Sequence, residues 1–204
     1  MLISETIPAH SLAYDQALDA FIASHGIGDV PGIYHAVRKL AYFSSGERSS
    51  EAVMRSGRGA CTAKHILLRD LLRRHGENAE VELVAGDFAA GLPLAPTMPL
   101  PLCEMIRAAG VPDFHCYVVW QGPDHEVRLD ATWPDALAHH GFPVNAGWAG
   151  RGDTRLAISP DGAQLRAEDV ITAKARLLAG LTADQAAKRR LFLQLLSDWI
   201  ATLH

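Results

Sequence analysis

From its amino terminus the chain first shows apolar residues at helical spacing. In residues 12–24, LAYDQALDAFIAS, Leu12, Leu18, Phe21 and Ile22 fall near one face and Gly26 follows as a stop. In DVPGIYHAVRKLAYF, Pro31 stands near a helix start, and Ile33, Val37, Leu40 and Tyr42 are spaced for a buried stripe. The Ser-, Gly- and charge-rich SSGERSSEAVMRSGRG leaves room for only a short helical piece over Ser50 to Arg55. The strongest pattern comes next. Starting at Cys61, Ala63, Leu67, Leu68, Leu71 and Leu72 form one stripe, Arg69, Asp70, Arg73 and Arg74 lie off it, and Gly76 closes the run.

After Gly76 the period changes. AEVELVAGDF, HCYVVW, EVRLDAT and RLAISP are short, rich in Val and Leu, and separated by Gly, Pro and Asp, which predicts an antiparallel sheet. The Pro-dense AAGLPLAPTMPLPLCEMIRAAGVPD between the first two predicts a long surface connection, ending in a short helix around Cys103 to Ala109 and able to roof a cleft. Residues 167–181 and 182–204 predict two closing helices, the second opening with Thr182 and Gln185 at capping-box spacing. Helices, then strands, then helices is the order of an α+β domain, and 204 residues suit a single one spanning 1–204.

Burial also constrains the hairpin formed by HCYVVW and EVRLDAT. Cys116 and Val118 must share a face with Val127 and Leu129, and residues opposite each other in a pair point to the same face. The shortest register that satisfies this pairs Trp120 with His125 around the loop QGPD, Val118 with Val127 and Cys116 with Leu129. On the other face it sets His115 opposite Asp130 and Tyr117 opposite Arg128, within reach of an imidazole–carboxylate hydrogen bond.

Composition narrows the function classes. Nineteen Lys and Arg against 23 Asp and Glu leave a net charge of -4, which gives no reason to expect nucleic acid or an anionic membrane as partner. Three cysteines, Cys61, Cys103 and Cys116, are too few and too odd for a disulfide framework. The opening MLISETIPAHSLAYD has neither a basic leader nor an apolar core, and no apolar run reaches the ~18 residues of a membrane helix. The expectation is a soluble cytoplasmic protein with free thiols.

Cys61 stands where a nucleophile gains most from its surroundings. The first turn of a helix has unpaired N–H groups and the positive end of the macrodipole, which favour a thiolate and can hold an oxyanion. Gly57 and Gly59 bring little bulk over the sulfur. Cys103 and Cys116 fit packing roles, one on a short helix and one on the buried face of the hairpin.

Taken in order, GRGACTAKHILLRDLLRRHG, DFHCYVVW and EVRLDATWP resemble the transglutaminase-like superfamily, and CTAKH and FHCYV are most similar to a bacterial branch of it. The resemblance is strongest over residues 57–134. It implies a papain-like fold with the Cys-bearing helix packed on an antiparallel sheet. It further implies Cys61 as nucleophile, His115 as base and acid, and Asp130 as the carboxylate that orients His115. The implied substrate is an amide in a small molecule, peptide or protein, attacked to give a thioester that water or an amine resolves. Hydrolysis is preferred over acyl transfer because nothing builds a second-substrate site. No cofactor is implied. The tryptophan and glutamine that help hold the oxyanion in eukaryotic transglutaminases and papain-type proteases have no counterpart, since no Trp precedes Trp120 and the only upstream Gln is Gln16. Tyr42 and Ser45 are candidate second donors.

Other residues compete for a role. His65, four residues after Cys61 on the same helix, is an alternative base, and Lys64, Gly59 and Tyr117 are further residues near the expected site. A metal site built from Cys61, His65, His115 and Cys116 is disfavoured, because neighbours on a strand point to opposite faces and no CxxC or HExxH spacing is present. A third reading is a binding module that keeps the fold without turnover, with Trp133, His139, His140 and Trp148 lining a cleft or capping the core.

Overall fold

The structure, a computed structural model, describes residues 11–203. The first ten residues, on which most of the leader reading rests, and the terminal His204 lie outside the described residues. Helix α1, Leu12–Ser24, is capped by the Ser11 hydroxyl and buries Tyr14, Leu18 and Phe21. The buried stripe therefore runs i, i+4, i+7 from Tyr14, which throws Leu12 off it and leaves Leu12 74% exposed. Helix α2, Val30–Lys39, starts at the Asp29 cap with Pro31 in its first turn and buries Ile33 and Val37. The predicted stripe ends there, because Leu40 is already extended and Tyr42 belongs to strand β1, Ala41–Tyr42.

Helix α3, Ser50–Ser56, ends at Gly57 in the left-handed region, where φ is 67° and a side chain would be strained. The chain then forms strand β2, Arg58–Gly59, parallel to β1, and enters helix α4, Cys61–Arg74. Every residue of α4 from Cys61 to Leu72 is buried, Arg69 and Asp70 included. This corrects the expectation that those two face solvent. Arg69 Nε donates to Asp70 at 2.8 Å, the Tyr14 hydroxyl donates to the same carboxylate at 2.7 Å, and Arg69 also reaches the Glu168 carbonyl at 2.9 Å. Buried charges persist only when paired in this way.

The main sheet contains β3, Ala79–Asp87, β4, Pro112–Gln121, β5, Glu126–Leu129, and β6, Ser159–Arg166, in the antiparallel order β5-β4-β3-β6. Helices plus an antiparallel sheet make the fold α+β. The fourth strand lies later than the predicted RLAISP. β6 is exposed along its whole length and so has no apolar pattern to read, whereas Ala157 and Ile158 pack into the core just before it.

The hairpin register differs from expectation by two residues: Val118 pairs with Leu129, Trp120 with Val127 and Gln121 with Glu126. A two-residue slip preserves which side chains share a face, so the face assignment stands while the partners change. Val81, Leu83, Cys116, Val118, Trp120, Val127 and Leu129 pack against α4 on one face. The other face carries Val84, Tyr117 and Val119 under helix α5, Leu100–Ala108, and the last helix, α7, Ala183–Ala201, which contributes Phe192, Leu196 and Ile200. Between β6 and α7 in the chain comes α6, Val170–Ala179, whose Val170 joins the first core. The α7 capping box forms between Thr182 and Gln185.

The Pro-rich connection is not a loose roof. Leu92, Ala95, Met98, Leu102 and Ile106 from it are all buried in the second core. The segment with Trp133, His139 and His140 likewise caps that core through a 3-10 helix, Asp135–His140. Trp133 packs beside Tyr42, Phe88 and Phe142, while Trp148 joins the first core. Among the described residues no helix is long and apolar enough to cross a membrane.

Candidate active site

Cys61 is the first residue of α4, and the chain before it is shaped to place it there. Gly59 hydrogen-bonds into the β1–β2 pair and lies so close to α3 that a Cβ would stand 2.6 Å from Val53 Cγ2. The N-cap, Ala60, has no side chain with which to cap the first-turn amides, so the positive end of the helix is left to the thiol. Cys61 is 4% exposed.

His115 reaches the same place from β4, and Asp130 from the residue after β5. Because β5 pairs only with Val118 to Gln121, the chain leaves the sheet at Leu129, and the Asp130 side chain meets His115 diagonally instead of directly opposite it. His115 Nε2 donates to Asp130 Oδ2 at 2.7 Å. The carboxylate is fixed by further donors, Ala157 N–H on Oδ2 at 2.7 Å and Thr132 N–H on Oδ1 at 2.9 Å. His115 Nδ1 is fully buried and has no hydrogen-bond partner among the described residues.

The electrostatics follow from this packing. Burial works against a charged His115, but the Asp130 carboxylate, through charge and hydrogen bond, and then Cys61 override it and lift the imidazole pKa to about 10. Burial likewise opposes the Asp130 carboxylate, and His115 holds it well below the usual range. The Cys61 thiol is pulled well below its ordinary value by the neighbouring Cys116 thiol and, against burial, by Lys174 and His115, which favour the thiolate. Cys116, in turn, is pushed up by burial and by the neighbouring Cys61.

His65 is placed differently from the role of base considered for it. Its Nδ1–H donates to the Cys61 carbonyl at 2.7 Å and its Nε2 accepts from Ala131 N–H at 2.8 Å, so both nitrogens are spent on backbone. Burial lowers its pKa to about 4, which keeps it neutral. Lys64 donates to the carbonyls of Arg38, Leu40 and Thr132 at 3.1, 2.9 and 3.0 Å. Burial pulls its pKa down to about 7, while the three carbonyl acceptors favour the three-donor ammonium, which ties the end of α2 and the segment after β5 to α4. Tyr117 turns away from the thiol and donates to Glu82. These contacts turn Lys64 and Tyr117 to other partners, whereas His65 stays beside the triad, its Nε2 3.5 Å from Asp130 Oδ1 and its ring edge-on to that of His115 at 5.9 Å.

Three charged residues that the pattern did not suggest complete the surroundings. Lys174 Nζ on α6 donates to Cys61 Sγ at 3.6 Å and pairs with Asp113 Oδ1 at 3.6 Å. Arg189 on α7 reaches the same Asp113 oxygen from Nε and from Nη2, each at 2.9 Å. A cavity of about 60 Å³ beside Cys61 has Tyr42, Glu47, Arg48, Asp113, Lys174 and Arg189 in its wall. Of the two suggested oxyanion donors, Tyr42 lines it and Ser45 does not. Asp113 was legible in principle, two residues before His115 and so on the same strand face. Lys174 was too, four residues after Val170 on a buried helix stripe. Arg189 lies in the run Lys188, Arg189, Arg190, which reads as a solvated face.

No family model matches the chain, and no curated protein does. Among solved structures it is similar to a protein from Cytophaga hutchinsonii described as a "putative cysteine protease", at 18% identity with a TM-score of 0.42. The match covers 64% of this chain and 43% of that one, so the chain spans under half the length of that protein.

Proposed function

We propose that the protein is a cysteine-dependent amide hydrolase of transglutaminase-like, papain-like type, with Cys61 as nucleophile, His115 as acid and base, and Asp130 as the group that orients His115. One observation carries the reading. Nε2 of His115 is committed to Asp130, while Nδ1, fully buried and without a hydrogen-bond partner among the described residues, is left for a proton exchanged with the neighbouring thiol. An imidazole oriented on one nitrogen and open on the other is what a nucleophile's base requires.

In this reading the Cys61 thiolate adds to the amide carbonyl, and the C=O electron pair moves to oxygen, which the first-turn amides of α4 stabilise. His115 Nδ1–H protonates the leaving nitrogen as the C–N bond breaks, giving a thioester and free amine. The now neutral imidazole takes a proton from water, which attacks the thioester, and the acid product leaves as Cys61 regains its thiolate. Water is the acceptor in this reading. The small cavity beside the sulfur admits the reacting carbonyl and little more, so the rest of the substrate lies outside it.

The test is a panel of chromogenic amides and peptide anilides, with electrophilic peptide probes read by mass spectrometry, run on wild type and Cys61→Ala. Turnover and labelling of Cys61 in wild type, both lost in Cys61→Ala, are the expected result. Labelling that persists in the variant would contradict the assignment.

A further inference from the structure

We infer that Lys174 is a catalytic residue of this site, its ammonium held between Asp113 and the Cys61 sulfur as the permanent counter-ion of the nucleophile. The inference rests on the reading of Cys61 as nucleophile and adds a cation to it. Lys174 is 2% exposed, with Nζ 3.6 Å from both Cys61 Sγ and an Asp113 oxygen. The decisive feature is a count of buried charge. Asp113 is shared with Arg189, whose guanidinium holds the same oxygen at the shorter distance of 2.9 Å. Two cations therefore face one carboxylate. His115 and Asp130 already balance each other. Among the six groups paired around the sulfur, Lys174, Arg189, Asp113, His115, Asp130 and Cys61, charge balances only when Cys61 is a thiolate, Lys64 being held apart by three carbonyls, and an uncompensated buried cation is costly.

Of the remaining groups around the cavity, Glu47 is exposed to solvent, accepts from the Arg48 and Ser49 amides and stands with one opposite charge, Arg48, so that pair leaves the buried count unchanged. Tyr42 from β1 is kept protonated by burial, and the Cys116 thiol on β4 is pushed up. His65 on α4 itself is neutral and Lys64 spends its donors on carbonyls. Burial opposes the Lys174 charge, but Asp113 and Cys61 outweigh it, so Lys174 stays an ammonium.

A fixed counter-ion changes the work asked of His115. If imidazolium alone held the thiolate, the sulfur would regain a proton whenever His115 lost its own. With Lys174 in place the thiolate outlasts the imidazolium, and His115 is free to pass its proton to the leaving amine and take another from water. When the thiolate adds to a carbonyl, its charge moves from sulfur to oxygen beside the same cavity, which Lys174 also lines.

The experiment is a titration of thiolate absorbance near 240 nm against pH, taken as the difference from Cys61→Ser, in wild type, Lys174→Met, Lys174→Arg and His115→Gln. The expected result is a thiolate in wild type well below the ordinary thiol value of about 8.5. Lys174→Met should raise the midpoint by about 1–3 units, the shift expected from removing an opposite charge at this range. Lys174→Arg should stay near wild type. His115→Gln reads the same quantity with Lys174 intact, even if Lys174→Met fails to fold, and should remain below the ordinary value. A Lys174→Met curve that superimposes on wild type, or a His115→Gln midpoint at or above about 8.5, overturns the proposal. A wild-type midpoint near 8.5 overturns the nucleophile reading itself, which distinguishes the two failures.

Discussion

Replacing Asp130 by Asn tests how much of the molecule's stability is tied to the imidazolium. The two carboxylate oxygens accept three bonds, from His115 Nε2, Ala157 N–H and Thr132 N–H. An amide has one oxygen, so its NH₂ must face at least one buried donor. That leaves an N–H unsatisfied at a cost of about 1–3 kcal/mol. The charge effect adds to this. His115 moves from 6.5 to about 10 on folding, which at ~1.4 kcal/mol per unit is a preference for imidazolium of order 5 kcal/mol. Asp130 is the largest favourable contribution to that shift.

Because the folded pKa is the higher one, this stability is fully present below 6.5 and is lost as pH rises through about 10. The Asp130 carboxylate, held low, contributes in the opposite sense, above its ordinary 3.8, and loses that contribution on acidification. Urea unfolding of wild type and Asp130→Asn is the assay. At about pH 5.5, where both contributions are complete, the two add and the gap should be about 6–8 kcal/mol. At about pH 10.5 only the unsatisfied donor remains, and the gap should shrink to about 1–3 kcal/mol. A gap of equal size at both pH values would refute the charge-based account and leave hydrogen-bond geometry alone.

His65→Ala should destabilise the fold by roughly 2–4 kcal/mol through a buried cavity and two lost hydrogen bonds, measured by urea unfolding. Wild-type stability should also fall as pH drops from 6.5 to about 4, where the unfolded chain protonates His65 and the folded one does not; this part of the slope should vanish in the variant. Gly59→Ala should cost about 1–3 kcal/mol because its Cβ meets Val53 Cγ2 at 2.6 Å, and Val53→Ala in the same chain should recover part of the loss; a double variant weaker than the sum of the singles would contradict the contact.

Much of the fold was legible because burial imposes periodicity. The stripe Leu67, Leu68, Leu71, Leu72 marks α4, and short Val- and Leu-rich runs between Gly, Pro and Asp turns mark the sheet, with the correct faces for Cys116, Val118, Val127 and Leu129. The exact hairpin partners were not, because a two-residue slip leaves every burial assignment intact, and the pair that sets the register, Gln121 with Glu126, is polar on both sides. β6 has no buried face and therefore no signature.

For the site, residue type and position brought Cys61, His115 and Asp130 to attention. What escaped were long-range charge pairings. Asp113 is read with Lys174 and Arg189 only after α6 and α7 have folded back over β4. Arg69 and Asp70 are buried because Tyr14 and the Glu168 carbonyl come to meet them, from 56 and 99 residues away in sequence. Single-chain periodicity assigns a charged residue to solvent by default, and tertiary pairing overrides that default.

The most direct measurement is the competition between the three cysteines for iodoacetamide at about pH 6, followed by peptide mapping. Exposure alone favours Cys103, which is half-buried while Cys61 and Cys116 are buried. If Cys61 is the activated nucleophile, it is carboxamidomethylated first, its rate falls little between pH 8 and pH 6, and Cys116 stays unmodified. Alkylation of Cys103 ahead of Cys61, with both rates dropping together on acidification as ordinary thiols do, would contradict the account.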